Sequence, residues 1–291
     1  MQSPPRSPAA QRNRHRRYPL LNRAVIDLPD STTFAAALAE PRIIPAMAVA
    51  ALAGLVRGFS GFGGAMIFMP LAAAIYDPRI AAVSILLADF VSTMPFAIPE
   101  TRRCNWREVL PLSVAMAVGV PFGTWALLVL DPIVLRWCIA IIVLSLLPPL
   151  MLGWRYHGEP GMAITAGVGL FSGVSAGAVQ IAGPPVILYW LSRGGSATSV
   201  RANIMVFFVL CGIVLVLVYA IEGLFTAQPL ALSVLLGGFY LLGVWLGSRI
   251  FRGSSDLLYR RVAYLIIALA ALLSLPVLDP VLRWSSTPPM H

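Results

Sequence analysis

The chain has 291 residues, 58% of them hydrophobic and only 11% charged, with a mean hydropathy of +0.83. That composition leaves too little polar surface for a water-soluble domain of this size and defines an integral membrane protein. The net charge of +9 comes from arginine alone, because the 21 basic residues include no lysine. Beside apolar segments, arginine reports topology and contact with anionic lipid, and no soluble domain remains to bind nucleic acid. Cys104, Cys138 and Cys211 have neither disulfide-like nor metal-like spacing.

Residues 1–42 open with MQSPPRSPAAQRNRHRRYPLLNR, rich in Pro, Arg and Ser and without apolar periodicity. This region is predicted to be a disordered or membrane-surface tail. It does not read as a signal peptide, because no short apolar region with a small-residue cleavage site follows the arginines. The membrane domain begins at Ile43. A bilayer core about 30 Å thick needs roughly 20 apolar residues per helix, and six stretches meet that: 80–99, 109–130, 133–152, 202–221, 229–248 and 259–278. Two others, 43–76 and 161–191, are too long for one straight span and are interrupted by Gly, Ser and Pro. Trp106, Trp137, Trp154 and Trp190 lie near segment ends, where an interfacial aromatic belt is expected. Residues 281–291 form a C-terminal tail.

The sequence repeats. A shift of 115 residues lays Gly54 on Gly169, Gly58 on Gly173, Ser60 on Ser175 and Pro70 on Pro185. Further along, the shift grows to 122, pairing Arg79 with Arg201, and then to 124, pairing Gly119 with Gly243 and Arg136 with Arg260. The expected fold is therefore an all-α polytopic membrane protein of two homologous halves, 43–152 and 161–280. Each half is one broken or re-entrant helical element followed by three transmembrane helices, about eight segments in all. Interrupted helices at matching positions of two halves point to a transporter's substrate site. Irregular backbone survives at membrane depth only inside protein or against a watery cavity, and the exposed N–H groups of a half-helix attract anions. The alternative is that Gly58, Gly61 and Gly64 are small-residue helix contacts. Two matching stretches, each ending in Pro, favour the binding site.

The pair GLVRGFSGFGGAMIFMP and GLFSGVSAGAVQIAGPP, heading two similar four-segment halves, resembles the sulfite exporter TauE/SafE family of bacterial membrane transporters. The resemblance runs from about Ile43 onward. It implies a small sulfur-containing anion as substrate, such as sulfite or an organosulfonate, a bacterial cytoplasmic membrane location, and no cofactor. The first motif implies substrate-binding positions at Ser60, Gly61, Gly63, Gly64 and Pro70, and the second at Ser175, Gly177, Gln180, Pro184 and Pro185. The second copy departs from the first, with Ala176 opposite Gly61, Ala178 opposite Gly63 and Val179 opposite Gly64.

Four polar residues are further candidates. Arg79 and Arg201 precede equivalent helices and could hold an anion's oxygens in a planar fork or serve as snorkelling, topology-setting residues. Asp89, in SILLADFVST, is the only carboxylate near the middle of an ordinary helix. Intramembrane carboxylates are costly and usually functional, which makes it a candidate carrier of a coupling proton; the alternative is structural pairing with an arginine or a backbone amide. Asn203 either contacts substrate or caps a helix.

The principal reading is a secondary transporter of small anions, not an enzyme. Without lysine a phosphate-binding loop ending in GK is impossible. GFSG at 58–61 matches the pattern of an intramembrane serine protease, but His15, His157 and His291 all lie outside the apolar segments and leave Ser60 without a base. A carboxylate permease, a channel and a structural membrane partner are the remaining alternatives. Loop charges favour inverted repeats: 100–108 carries Arg102, Arg103 and Arg107, and Arg249 and Arg252 follow the seventh segment, so inversion puts both basic loops in the cytoplasm. The same solution leaves the Arg-rich tail outside. An extra early crossing, a fully spanning first element or a wrongly assigned start would remove that conflict.

Overall fold

The computed structural model describes residues 26–60, 63–152, 160–193, 196–250 and 256–278, and among these it is all helical, with no strand. Helix α1, Ser31–Ala39, is capped by Asp30, whose carboxylate accepts from the Thr33 N–H at 2.8 Å and from the Thr32 and Thr33 hydroxyls. These bonds, that of the Thr33 hydroxyl foremost, lower the Asp30 carboxyl from 3.8 to about 2. The depressed value means that the cap contributes fully above 3.8 and is lost only as pH falls through about 2. A bend of 92° separates α1 from α2, Ile43–Ser60. Nine residues cannot cross a bilayer, so α1 lies across the end of the bundle. Residues 31–39 of the expected tail are thus helical rather than disordered, which suits the membrane-surface alternative; residues 1–25 lie outside the described residues.

The first broken element is a hairpin. Helix α2 stops at Ser60, and α3, Gly64–Ile75, runs back along it: the Arg42 guanidinium donates to the Ile75 carbonyl, while the tip residue Gly64 lies against Ala53 and Arg57. At about 1.5 Å per residue the arms are roughly 27 and 18 Å long, so the tip lies within the membrane rather than beyond it. Three longer helices follow: α4, Pro78–Ala97; α5, Trp106–Val129; and α6, Pro132–Leu152. The second half repeats the plan with α7, Met162–Val179, and α8, Gly183–Arg193, then α9, Ala197–Ile221; α10, Ala227–Ile250; and α11, Asp256–Leu273. Its hairpin closes where the Thr165 and Tyr189 hydroxyls meet at 2.8 Å. Among the described residues six helices are long and apolar enough to cross a bilayer, α4, α5, α6, α7, α9 and α10; the expected crossing 259–278 is not among them, since in α11 the described apolar stretch is the shorter Tyr264–Leu273. For α7 the break at Gln180 and the return through α8 turn the chain back instead.

Each hairpin's long arm is clamped to a spanning helix of the other half. On α2, a Cβ added at Gly54 or Gly58 would strike the Tyr240 or Val244 carbonyl of α10, and one added at Gly243 would strike Ala51. On α7, Gly169, Gly173 and Gly177 meet the Leu112, Met116 and Val120 carbonyls of α5, with Gly119 and Gly123 answering from α5. Backbones in contact let dispersion and weak C–H···O bonds act between helices that gain nothing hydrophobic from leaving lipid. For Gly58 the packing alternative therefore holds. Both clamps run parallel, 54 with 240 and 58 with 244, 173 with 116 and 177 with 120. Helices α5 and α10 start at opposite ends of the bundle, so the hairpins enter from opposite ends as well. End-to-end contacts agree: Arg42 reaches Ile75 and Arg79 reaches Leu127 to Leu130 at one end, while Asn203 meets Asn105 and Tyr264 meets Leu150 at the other.

The structural spacing of the halves is 119 residues at three successive helix starts, Ile43 and Met162, Gly64 and Gly183, Pro78 and Ala197. This is one helical turn from the shift of 115 that glycine matching favours, because glycines four apart on one helix face align equally well with the next turn. One aromatic departs from expectation. Trp106 and Trp137 are partly exposed as a belt requires, and Trp154 lies outside the described residues, but Trp190 is 1% exposed and packs edge-on against Tyr189 and Phe207. It sits in the last turn of the short arm α8, beside the Tyr189 contact with the start of α7, on the face that packs into the bundle.

The glycine clamps predict a contrast between two conservative variants. Gly173→Ala should destabilise by about 1–3 kcal/mol through overpacking. Gly167→Ala, with nothing within 4 Å of the added methyl, should be neutral or slightly stabilising. Thermal unfolding followed by fluorescence-detected size exclusion in detergent reads both.

Candidate functional site

The hairpin tips face one open cavity. Its lining comes from equivalent positions of the two halves at the 119-residue spacing: Arg57 and Ala176, Gly63 and Ala182, Gly64 and Gly183, Ala65 and Pro184, Asp89 and Phe208, Phe90 and Val209, Thr93 and Gly212. Positions 119 residues apart thus face the same cavity. The chemistry does not repeat: Arg57, Asp89 and Thr93 are polar, and their counterparts Ala176, Phe208 and Gly212 are not.

The polar groups form one network. The Arg57 Nε lies 2.9 Å from Asp89 Oδ1, and its Nη2 donates to Asp89 Oδ2 at 3.2 Å and to the Thr93 hydroxyl at 2.9 Å. The Tyr240 hydroxyl, from α10, donates to Asp89 Oδ1 at 2.6 Å. The Phe208 ring stands 5.3 Å from the guanidinium carbon, within cation–π range. Two charges at membrane depth are tolerable because they neutralise each other and are further hydrogen-bonded by Thr93 and Tyr240. The Arg57 side chain is 11% exposed and that of Asp89 is 34% exposed, so the carboxylate is the more accessible partner.

The tips add partial charge. Helix α3 starts at Gly64 behind Gly63, whose φ of 88° requires glycine and which offers no side-chain cap. The N–H groups of Gly64, Ala65 and Met66 therefore lack acceptors within the helix. Helix α8 starts with Gly183, Pro184 and Pro185, and the prolines remove two of the donors that α3 keeps. Opposite, Gln180 ends α7 at φ 60° and donates through Nε2 to the Tyr219 hydroxyl, which donates to the Gly177 carbonyl. Gly64 couples tip to network: a Cβ there would lie 2.6 Å from the Tyr240 hydroxyl.

Of the residues singled out in the sequence, the structure brings Gly63, Gly64, Gln180, Pro184 and Asp89 to the cavity. Gly61 lies outside the described residues, as does the side chain of Ser60. Pro70 is buried within α3, Ser175 and Gly177 within α7, and Pro185 stands one position beyond the lining. Arg79 is a helix cap: its Nε donates to the Leu127 carbonyl at 3.1 Å and its Nη2 to the Leu128 and Leu130 carbonyls at 3.0 and 3.2 Å. A cation is suited to that negative end of α5. Arg201 is exposed and away from the cavity. Asn203 caps the start of α5, accepting from the Asn105 N–H at 2.7 Å and donating to Glu108 at 3.3 Å. Asp89 has the arginine partner that one of its two readings requires. That partner, Arg57, is the residue sequence reasoning missed, although a charge inside the apolar run 43–76 satisfies the criterion that singles out Asp89. Tyr240 and Phe208 carry no comparable signal.

A bundle of apolar helices enclosing a charged cavity between two opposed hairpin tips defines a multi-pass membrane protein built for permeation. The family model described as Sulfite exporter TauE/SafE matches residues 46–273, and the chain belongs to that family of membrane transporters of sulfur anions. No curated protein and no solved structure matches the chain.

The capping geometry separates support from binding. Arg79→Ala should lower stability by about 1.5–3 kcal/mol, the worth of hydrogen bonds from a charged donor, while the half-saturating substrate concentration stays unchanged. Thermal unfolding and transport kinetics on the same preparation check the pair of outcomes.

Proposed function

We propose that the protein is a secondary transporter that moves a small sulfur-containing anion, sulfite or an organosulfonate, across the bacterial cytoplasmic membrane by alternating access around the hairpin tips. The observation that carries this reading is a cavity lined at equivalent positions by both tips and furnished with an arginine and an uncapped helix N-terminus. An oxyanion there would meet the guanidinium of Arg57 and the first-turn N–H groups of α3, with Gly63 and Gly64 allowing close approach. Gln180 and Pro184 close the opposite side, and Phe208 supplies an apolar face for a carbon substituent.

Hairpins entering from opposite ends support inverted repeats, the plan in which one half rocks against the other about a central site. The loop after α4 and the end of α10 fall at the same end of the bundle, and both are arginine-rich, which favours that end as cytoplasmic. A fully spanning first element and a crossing by α1 are disfavoured by the hairpin of α2 and α3 and by the nine-residue length of α1. The hydrolase alternative finds no support, since no histidine lies in an apolar segment.

Purified protein in liposomes should take up sulfite and small sulfonates saturably. Gly64→Val, whose side chain collides with the Tyr240 hydroxyl, should reduce uptake by about tenfold or more, equivalent to at least 1.4 kcal/mol. Undiminished uptake by a well-folded variant overturns the site. Preference for carboxylates points to the alternative permease, and non-saturating conductance to a channel.

A further inference from the structure

We propose that the Asp89 carboxylate is a tethered stand-in for the substrate's anionic group, holding Arg57 while the cavity is empty of anion and yielding it, with uptake of one proton, when the anion binds. This rests on the cavity being the anion site, and it adds a fixed stoichiometry of one proton per monoanion moving in the same direction.

The geometry is that of an occupied anion site. Arg57 presents Nε and Nη2 side by side to the two oxygens of Asp89, at 2.9 and 3.2 Å, the fork that would equally grasp two oxygens of a sulfonate or sulfite. An arriving anion must therefore compete with Asp89. The competitor is placed to leave: it is the more exposed partner, and the cavity reaches both residues.

Charge decides what happens to it. Arg57 and Asp89 together are neutral, so adding a monoanion leaves one uncompensated negative charge at membrane depth, where ions are expensive. The ionisable groups facing Asp89 among the described residues are Arg57 on α2, Tyr240 on α10 and Cys211 on α9. None of the others can supply a second positive charge. A proton from water on the carboxyl restores neutrality, and the hydrogen bonds rearrange without loss. The anion takes the Arg57 donors; the Thr93 hydroxyl, released from Arg57, lies one turn along α4 to accept the new Asp89 O–H; Tyr240 continues to donate to the other oxygen. On the far side the reverse exchange releases anion and proton together, and Asp89 returns to Arg57.

Calorimetric titration of the purified full chain with ethanesulfonate, in buffers of differing ionisation enthalpy, tests the proposal. Ethanesulfonate stays fully ionised across the working range, so any proton taken up is the protein's, whereas sulfite titrates near neutrality. The expected result near pH 7 is about one proton absorbed per anion bound, with affinity falling about tenfold per pH unit at higher pH. Asp89→Asn should bind ethanesulfonate about tenfold or more tightly, absorb no proton and lose the pH dependence. Tyr240→Phe covers the case in which Asp89→Asn fails to fold: losing a donor to the carboxylate eases protonation, so the decline in affinity should begin at higher pH. Saturable binding without proton uptake overturns the coupling and leaves the anion site standing. Absence of any binding, of ethanesulfonate and of sulfite alike, overturns both.

Discussion

A peptide backbone that breaks off at membrane depth must be walled off from lipid, and most of this structure follows from meeting that demand twice. Helices α2 and α7 both end within the membrane, and each leaves carbonyls and N–H groups without helical partners. Each is sealed by a spanning helix from the other half, through glycines that bring backbone onto backbone. Because each seal crosses between halves, neither half encloses its own break, and the two interlock about a shared centre. The cavity is what remains at that centre. Its position is a consequence of the interlock, and its polarity comes from the Arg57, Asp89 and Thr93 side chains together with the first-turn N–H groups of α3.

Within that cavity the Arg57 and Asp89 pair binds together elements far apart in sequence. Arg57 sits on the long arm of the first hairpin, Asp89 on the first crossing after it, Tyr240 on the helix that clamps the arm, and Phe208 on the corresponding crossing of the second half. Four elements therefore converge on one carboxylate and one guanidinium. The tip residue Gly64 touches the same tyrosine, so the hairpin's seating and the carboxylate's hydrogen bonding share an atom.

Composition and apolar run length made the architecture legible: both interrupted segments and the crossings α4, α5, α6, α9 and α10 are visible in the sequence because bilayer thickness and backbone satisfaction constrain residues locally. The register of the repeat was less so. Glycine spacing of four residues is degenerate over successive turns, and only the three-dimensional contacts separate 115 from 119. Among candidate site residues, Gly63, Gly64, Gln180, Pro184 and Asp89 line the cavity, while Arg79, Arg201 and Asn203 lie elsewhere. Arg79 and Asn203 have the chemistry of ligand-binding residues but occupy helix ends, where the same donors and acceptors serve as caps. Trp190 reads as an interfacial residue from its place near a segment end, but α8 turns that face into the bundle, against Phe207. Arg57 was visible in principle. Its partnership with Tyr240, 183 positions away (from 57 to 240), in one network around Asp89 is a property of the fold alone.

A duplicated chain that kept its two halves chemically alike would have carried a second arginine at Ala176 and a second aspartate at Phe208, facing the first pair across a single chamber. Two identical sets of oxyanion donors would then have competed for one volume, and filling either would have set like charges against each other a few ångströms apart. Divergence at those two positions leaves a vestibule with one loading point. On the transport role proposed above, twin scaffolds holding a single such pair would carry one passenger at a time, a single-seat vehicle.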